Sequence, residues 1–401
     1  MNSISEAELH QRGWRPETRA VRGGTERSHH GETSEALYLN SGFVYDSAEL
    51  AQARFKGELD GFIYSRYGNP TVAMFEQRMA LLEEAEACFA TASGMAAVFA
   101  ALAAQLKAGD HLVSARALFG SCHVIVTEIL PRFGIETTLV DGPDLGQWRQ
   151  AIRPGTAAVF FETPANPTLE LIDIQAVAEI AHAAGACVVV DNVFSTPLLQ
   201  KPMPLGADVV VYSGTKHIDG QGRCLGGAIL SRQSFKDEVL QPFLRHTGPA
   251  LSPFNAWVLL KGLETLSLRV ERHCASALRV AELLAGHPKV ERVLYPWRDD
   301  HPQAALAQRQ MRAGGSVVSF DLVGGQQAAF RFLNALELID ISNNLGDAKS
   351  LITHPATTTH RAMGPEGRAR MGVGDGMVRI SVGLEAVEDI AQDLTQALDR
   401  L

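Results

Sequence analysis

Three short segments carry residues whose types and spacing can do chemistry together. Lys216 lies in Val211-Tyr212-Ser213-Gly214-Thr215-Lys216-His217, directly after an apolar run. A lysine desolvated at a strand end gives up its proton more readily and becomes a nucleophile toward carbonyls. Ser213 and Thr215 add hydroxyls able to hold a phosphate. Asp191 closes the run Val188-Val189-Val190, 25 residues before Lys216. A buried carboxylate needs a partner, and a pyridinium N–H is one. The segment Ala92-Ser93-Gly94-Met95-Ala96-Ala97 follows a strand and opens a helix. Free N–H groups at a helix start bind phosphate, and a glycine lets it come close. Taken singly, each segment has an ordinary structural alternative: a surface lysine, an aspartate capping a turn, a turn capped by Ser93.

Together they are the parts that pyridoxal 5′-phosphate requires. The amine meets its aldehyde, the carboxylate keeps its ring nitrogen protonated, and the cup holds its phosphate. Other chemistries lack their signatures. There is no GxGxxG after a strand, no GxxxxGK[ST], no HExxH and no GxSxG, which argues against nicotinamide, P-loop, zincin and α/β-hydrolase enzymes. A nucleotide-dependent enzyme using Ser93 to Met95 for phosphate would lack a base-recognition motif. The thirteen histidines show no metal-ligand spacing, and the five cysteines (Cys88, Cys122, Cys187, Cys224, Cys274) include no CxxC pair. An odd number without such spacing fits neither a disulfide framework nor a zinc site, and points to a reducing, cytoplasmic setting. Cys122 reads as a buried inert thiol, since no His/Asn partner is indicated.

Elements at the right places must position these groups. From about 70 to 230 the pattern alternates strand and helix, with strands at Cys88–Ala92, His111–Ala115, Glu136–Val140, Ala157–Glu162, Cys187–Asp191, Val209–Tyr212 and Gly227–Leu230. Helices fall at Met95–Leu106 and Ile174–Ala183. Apolar runs without alternation mark strands buried on both faces, and alternating units imply an α/β fold with a mainly parallel sheet covered by helices. The parallel-sheet rule then gathers Ser93, Asp191 and Lys216 at the carboxyl ends of the strands. Pro253 to about Ala285 reads as one long helix or two joined ones. Beyond Gly314 strands at Val317–Leu322, Ile339–Ser342, Leu351–Thr353 and Val378–Val382, with helices near 326–336 and 386–400, form a smaller C-terminal α+β domain. Residues 1 to about 60 lack periodicity and read as an extended arm with little core of its own.

The bulk properties set limits. A 401-residue chain with 46% hydrophobic residues can bury a sizeable core in two or three domains, and a net charge of −9 offers no basic footprint for nucleic acid or a membrane surface. Met1 to Glu8 has no basic start and no apolar stretch, so no secretory signal is read. The charge-free stretch Ala87 to Leu106 is broken by Thr91, Ser93 and Gly94 and reads as strand, turn and helix rather than a membrane span.

The sequence resembles the Cys/Met-metabolism family of pyridoxal-phosphate enzymes. The resemblance rests on Tyr64-Ser65-Arg66-Tyr67-Gly68-Asn69-Pro70-Thr71, Ser93 to Ala97, Glu162-Thr163-Pro164-Ala165-Asn166-Pro167, Val190-Asp191-Asn192, Ser213 to Lys216, and Val378-Arg379-Ile380-Ser381-Val382-Gly383. It implies the aspartate aminotransferase-like fold, type I, divided into an arm at 1–65, a cofactor-binding domain at 66–260 and a C-terminal domain at 261–401. It implies that Lys216 is the Schiff-base lysine and proton shuttle, and that Asp191 binds the pyridine nitrogen. Gly94, Met95, Ser213 and Thr215 would hold the phosphate. Tyr64 and Arg66 would reach the phosphate site of a neighbouring subunit, giving an obligate dimer paired into a homotetramer. Asn166 and Arg379, with the Ser350 backbone nearby, would meet the amino-acid carboxylate. A planar guanidinium suits that task because it grips a carboxylate with two hydrogen bonds.

Two departures narrow the implied activity. Phe119 stands where many members stack a tyrosine on the cofactor ring; it can stack but cannot transfer a proton. Ser121 stands near the cysteine typical of methionine γ-lyases, and Ile63 near the acidic residue of cystathionine γ-lyases. The stretch Leu118-Phe119-Gly120-Ser121-Cys122 is most similar to members that act on O-succinylhomoserine with sulfide. The resemblance therefore implies a transferase making homocysteine and succinate by γ-replacement, a step of methionine biosynthesis. The alternatives are a cystathionine γ-synthase, a γ-lyase, or a non-catalytic binding protein that keeps the fold. The last would be favoured by loss of Lys216 or Asp191, and both are present.

Overall fold

The computed structural model of the chain describes residues 13–401. The reading of Met1 to Glu8, and the first twelve residues of the arm, lie outside the described residues. Seven strands form the larger sheet: β1 (Ala87–Thr91), β2 (His111–Ala115), β3 (Glu136–Val140), β4 (Thr156–Glu162), β5 (Cys187–Asp191), β6 (Val209–Ser213) and β7 (Gly227–Ser231). Their order is β1-β7-β6-β5-β4-β2-β3, with β3, β2, β4, β5 and β6 parallel and β7 antiparallel to both of its neighbours.

The valine runs explain why this sheet is central. Side chains alternate across a strand. Val188, Val190, Val210 and Tyr212 point into one apolar layer, with the helices Pro70–Glu83, Ile174–Ala183 and Pro253–Glu264. Val189, Val209 and Val211 point into the other, with the helix Gly94–Ala103. Strands walled by helices on both faces have no polar positions to spare, hence the unbroken apolar runs.

A second sheet, β10-β11-β12-β9-β8, comprises β8 (Val290–Leu294), β9 (Val317–Leu322), β10 (Asp340–Ile341), β11 (Leu351–Thr353) and β12 (Met377–Ser381). Helices Leu266–Ala285, Gly325–Ala335 and Val387–Asp399 pack on it through Leu284, Phe332, Ile390 and Leu394. The long helical stretch is two helices, Pro253–Glu264 and Leu266–Ala285, joined at Thr265. No helix among the described residues is long and apolar enough to cross a membrane.

The arm is less extended than its sequence implies. It holds short helices at Pro16–Arg22 and Ala48–Lys56, the second with no buried residue. It is fastened by charge rather than by a core of its own. Buried Arg78 donates to the Gly23 carbonyl (2.8 Å) and pairs with Glu35 (2.6 Å), which also meets Lys261. Asn69 caps the helix that carries Arg78, accepting from the Thr71 N–H at 2.9 Å while its amide donates to the Tyr38 carbonyl at 2.9 Å.

Candidate active site

The helix Gly94–Ala103 begins beside the end of β6. Ser93 caps it, its Oγ accepting from the Ala96 N–H at 3.2 Å. A Cβ on Gly94 would lie 2.6 Å from Ser213 Cβ, so only glycine lets the helix start approach that strand end. The first N–H groups of this helix and the Ser213 hydroxyl thus edge one concavity. The Thr215 hydroxyl is hydrogen-bonded to Gly226, accepting from its N–H at 3.3 Å.

Lys216 follows β6 into this concavity. Its Nζ donates to Asn344 Oδ1 at 2.6 Å. Burial, helped by the Arg379 charge, pulls its pKa down to about 8, so a substantial fraction of the amine is neutral near physiological pH. Asp191 ends β5 at 6% exposure, and its carboxylate accepts only from the Val193 N–H (3.1 Å) among the described residues. Burial raises its pKa to about 7, the mark of a carboxyl without a cation. Next to it ends β4, whose Glu162 is the Cα partner of Asp191. Beneath both, Tyr212 donates to buried Glu83 and accepts from Asn192 Nδ2 at 2.6 Å, while Gln200 Nε2 reaches Asn192 Oδ1 at 2.7 Å.

Arg379 comes from the second sheet and is 1% exposed. Its Nη1 donates to Asn166 Oδ1 (2.9 Å), and its Nη2 to the carbonyls of Asn343 (2.8 Å) and Asn344 (3.3 Å). Its Nε is buried with no partner. Such an orphaned donor on the wall of a cavity calls for an acceptor from a ligand. His360 steadies the same corner, its Nε2 3.2 Å from the Asn166 carbonyl.

One cavity of about 240 Å³ brings together Gly94, Met95, Phe119, Asn166, Asp191, Ser213, Thr215, Lys216 and Arg379. Three residues read as site residues are not among its lining. Tyr64 is 42% exposed, and the Arg66 guanidinium lies over the rings of Tyr67 (4.7 Å) and Tyr64 (5.4 Å). Ser350 needs correction: its N–H donates to Glu385 Oε1 (2.7 Å) and its hydroxyl to Glu385 Oε2 (3.0 Å), so that N–H is already committed. Asn343 and Asn344 hold the place beside Arg379 instead. Glu162, Asn343 and Asn344 are the residues that sequence reasoning missed. Glu162 had a signal, since it ends an apolar strand as Asp191 does; the two asparagines, in a loop without periodicity, had none. Cys122 is buried against Met95, and burial pushes its thiol well above the usual range.

These groups fit pyridoxal 5′-phosphate. A buried carboxylate without a cation matches a ring N–H, a desolvated amine matches an aldehyde, and the glycine-lined helix start matches a phosphate. The cavity therefore defines a pyridoxal-phosphate enzyme of the doubly covered α/β class. The chain belongs to the Cys/Met-metabolism family of pyridoxal-phosphate-dependent enzymes, which it matches over residues 17–399. It is 63% identical over 385 residues to an O-succinylhomoserine sulfhydrylase of Mycobacterium tuberculosis, covering 95% of each chain. It is 50% identical to an O-succinylhomoserine sulfhydrylase of Pseudomonas aeruginosa, covering 96% of this chain and 95% of that one. Among solved structures, it is similar to a putative O-acetylhomoserine (thiol)-lyase of Campylobacter jejuni that holds pyridoxyl-lysine monophosphate. The TM-score is 0.93 and the identity 32%, with 96% of this chain and 100% of that one covered.

Proposed function

We propose that the chain catalyses γ-replacement on O-succinylhomoserine: sulfide displaces succinate, and the product is homocysteine. The observation that carries this reading is near-full-length identity to two sulfhydrylases, on a chain whose cavity keeps a desolvated lysine, an uncompensated carboxylate and an arginine with a free donor.

Lys216 would bond the cofactor, Asp191 would meet its ring nitrogen, Phe119 would stack on its ring, and Gly94, Met95, Ser213 and Thr215 would hold its phosphate. The cofactor supplies an electron sink that makes the Cα proton of a bound amino acid acidic. Every other task falls to the chain. Arg379 and Asn166 bind the α-carboxylate, which fixes the Cα–H bond toward Lys216. The Lys216 amine, neutral in part because it is desolvated, takes the Cα proton; once it has handed that proton on to the cofactor it is neutral again and can take one from Cβ. The Cγ–O bond breaks and succinate leaves with the bonding pair; a Cγ–S bond forms with sulfide, and Lys216 returns the protons to Cβ and Cα. Phe119 offers no proton and excludes water from its side of the pocket.

Tyr64 and Arg66 sit outside the cavity of their own chain, which supports their service in that of a second copy. Leu39, Val44 and Phe55, all strongly exposed on the arm, support the same contact. The assembly proposed is a dimer paired into a homotetramer, with the arm at 1–65, the cofactor domain at 66–260 and the C-terminal domain at 261–401. Five cysteines without a disulfide support a cytoplasmic setting.

The test is steady-state turnover of O-succinylhomoserine with sulfide, with cysteine and with no nucleophile, repeated on O-acetylhomoserine. Sulfide should be preferred over cysteine, and the succinyl ester over the acetyl. Faster turnover with cysteine would make the chain a cystathionine γ-synthase, and faster turnover with no nucleophile a γ-lyase.

A further inference from the structure

Glu162 has no part in the roles above, yet it is 4% exposed and lines the same cavity. A carboxylate this deep must satisfy both oxygens. Oε2 accepts from the Phe119 N–H at 2.8 Å, and Oε1 from the Asn166 N–H at 3.0 Å. Phe119 carries the ring that faces the cofactor space. Asn166 carries the amide that holds Arg379. One side chain at the end of β4 thereby ties the Phe119 loop to the turn that follows its own strand.

The charged and titratable groups around it come from three elements: Asp191 at the end of β5, Arg379 on β12, and Cys122 on the short helix after Phe119. Burial and the Asp191 charge raise its pKa, while the two N–H donors and Arg379 oppose the rise. The rise prevails, but the fastening survives protonation, because the hydroxyl oxygen of the neutral acid still accepts from an N–H once its own hydrogen is turned aside. An amide in its place has a single acceptor oxygen, and its NH₂ would aim a hydrogen at one of the two N–H groups.

We infer that Glu162 is a positioning residue that couples the ring-stacking loop at Phe119 to the carboxylate grip of Asn166 and Arg379. The inference rests on the γ-replacement reading above and adds a residue to it. Glu162 touches neither substrate nor reacting atoms in this role; it sets where two other side chains stand.

The test uses the holoenzyme carrying Glu162→Gln, with Glu162→Asp as a second variant whose shorter carboxylate cannot span both N–H groups. Three quantities are read: the KM for the ester, the KM for sulfide, and the dissociation constant of pyridoxal phosphate from its visible absorbance on dilution. Leaving one buried N–H unsatisfied is expected to raise the KM for O-succinylhomoserine about tenfold. The cofactor dissociation constant should rise in parallel. The KM for sulfide, which has no carboxylate to grip, should stay within about twofold. A general loosening of the fold would move all three. Glu162→Asp should shift the ester KM in the same direction by a smaller factor. An unchanged ester KM in both variants, or an equal rise for sulfide, overturns the inference. A wild-type protein that neither takes up the cofactor nor consumes the ester would instead overturn the functional reading itself.

Discussion

Replacing Arg379 with lysine keeps the charge and removes the fork. The guanidinium is buried, holds Asn166 through Nη1 and the Asn343 and Asn344 carbonyls through Nη2, and keeps Nε for a ligand. A lysine ammonium is a point charge with three donors on a flexible stem, and it cannot hold three fixed acceptors and a carboxylate together. Losing one charge-assisted hydrogen bond to the substrate costs about 1.5–3 kcal/mol, and freeing Asn166 costs about 1 kcal/mol more. At about 1.4 kcal/mol per factor of ten, kcat/KM for O-succinylhomoserine should fall roughly 10²- to 10³-fold. The larger share should appear in KM, because the carboxylate is gripped in the ground state as well. The assay is succinate release at saturating sulfide, with the ester varied. An ester KM within threefold of wild type would refute the argument, since the α-carboxylate would then be bound elsewhere.

Other outcomes follow from groups already described. Capture of pyridoxal phosphate by the cofactor-free protein should speed up as pH rises through about 8, where Lys216 loses its proton; in Asn344→Ala, which removes an acceptor from the ammonium, the midpoint should move lower, and a midpoint near the usual lysine value would contradict the desolvated amine. Arg78→Met should cost about 3–5 kcal/mol in urea denaturation, because it leaves buried Glu35 with only Lys261 and the Thr25 hydroxyl; a loss below about 1 kcal/mol would show that the arm is fastened by other contacts. Glu83 has a folded-state pKa raised by burial to about 8 from 4.5. Its contribution to stability is therefore full below pH 4.5 and fades as pH climbs to about 8. Glu83→Gln should flatten that decline, measured by denaturation at pH 6 and pH 9, and an unchanged slope would place the titration on another group.

The central strands were legible because burial on both faces leaves a sequence few choices. His111–Ala115 and Cys187–Asp191 fall where their apolar runs place them. The strand Val290–Leu294 was not read, since Glu291 and Arg292 interrupt it and, at an edge, solvent tolerates them. The arm helices, of 7 and 9 residues, are too short to display a period. In the site, Lys216 and Asp191 stood out as charged residues after apolar strands, while Arg379 and Asn166 were reached through the family resemblance. Asn343 and Asn344 did not stand out, because their backbone carbonyls do the holding and any residue type can supply those. Glu162 was quoted within a matching segment, but its task is set by the N–H groups of Phe119 and Asn166, and those depend on loop paths that spacing does not encode.

The antiparallel strand β7 has a bearing on how the protein is made. In the sheet, β1 has a single neighbour, and that neighbour is β7. A nascent chain that has emerged only as far as Gly226 holds Lys216, β6 and its neighbour β5 but leaves Ala87–Thr91 without a strand to lie against. The Ser93–Gly94 turn is then held beside Ser213 only by the packing of its helix on Val209 and Val211. The phosphate cup is thus one of the later features of the larger sheet to be completed during synthesis, and a ribosome-stalled chain ending short of Gly227 should be unable to retain the vitamin-derived coenzyme.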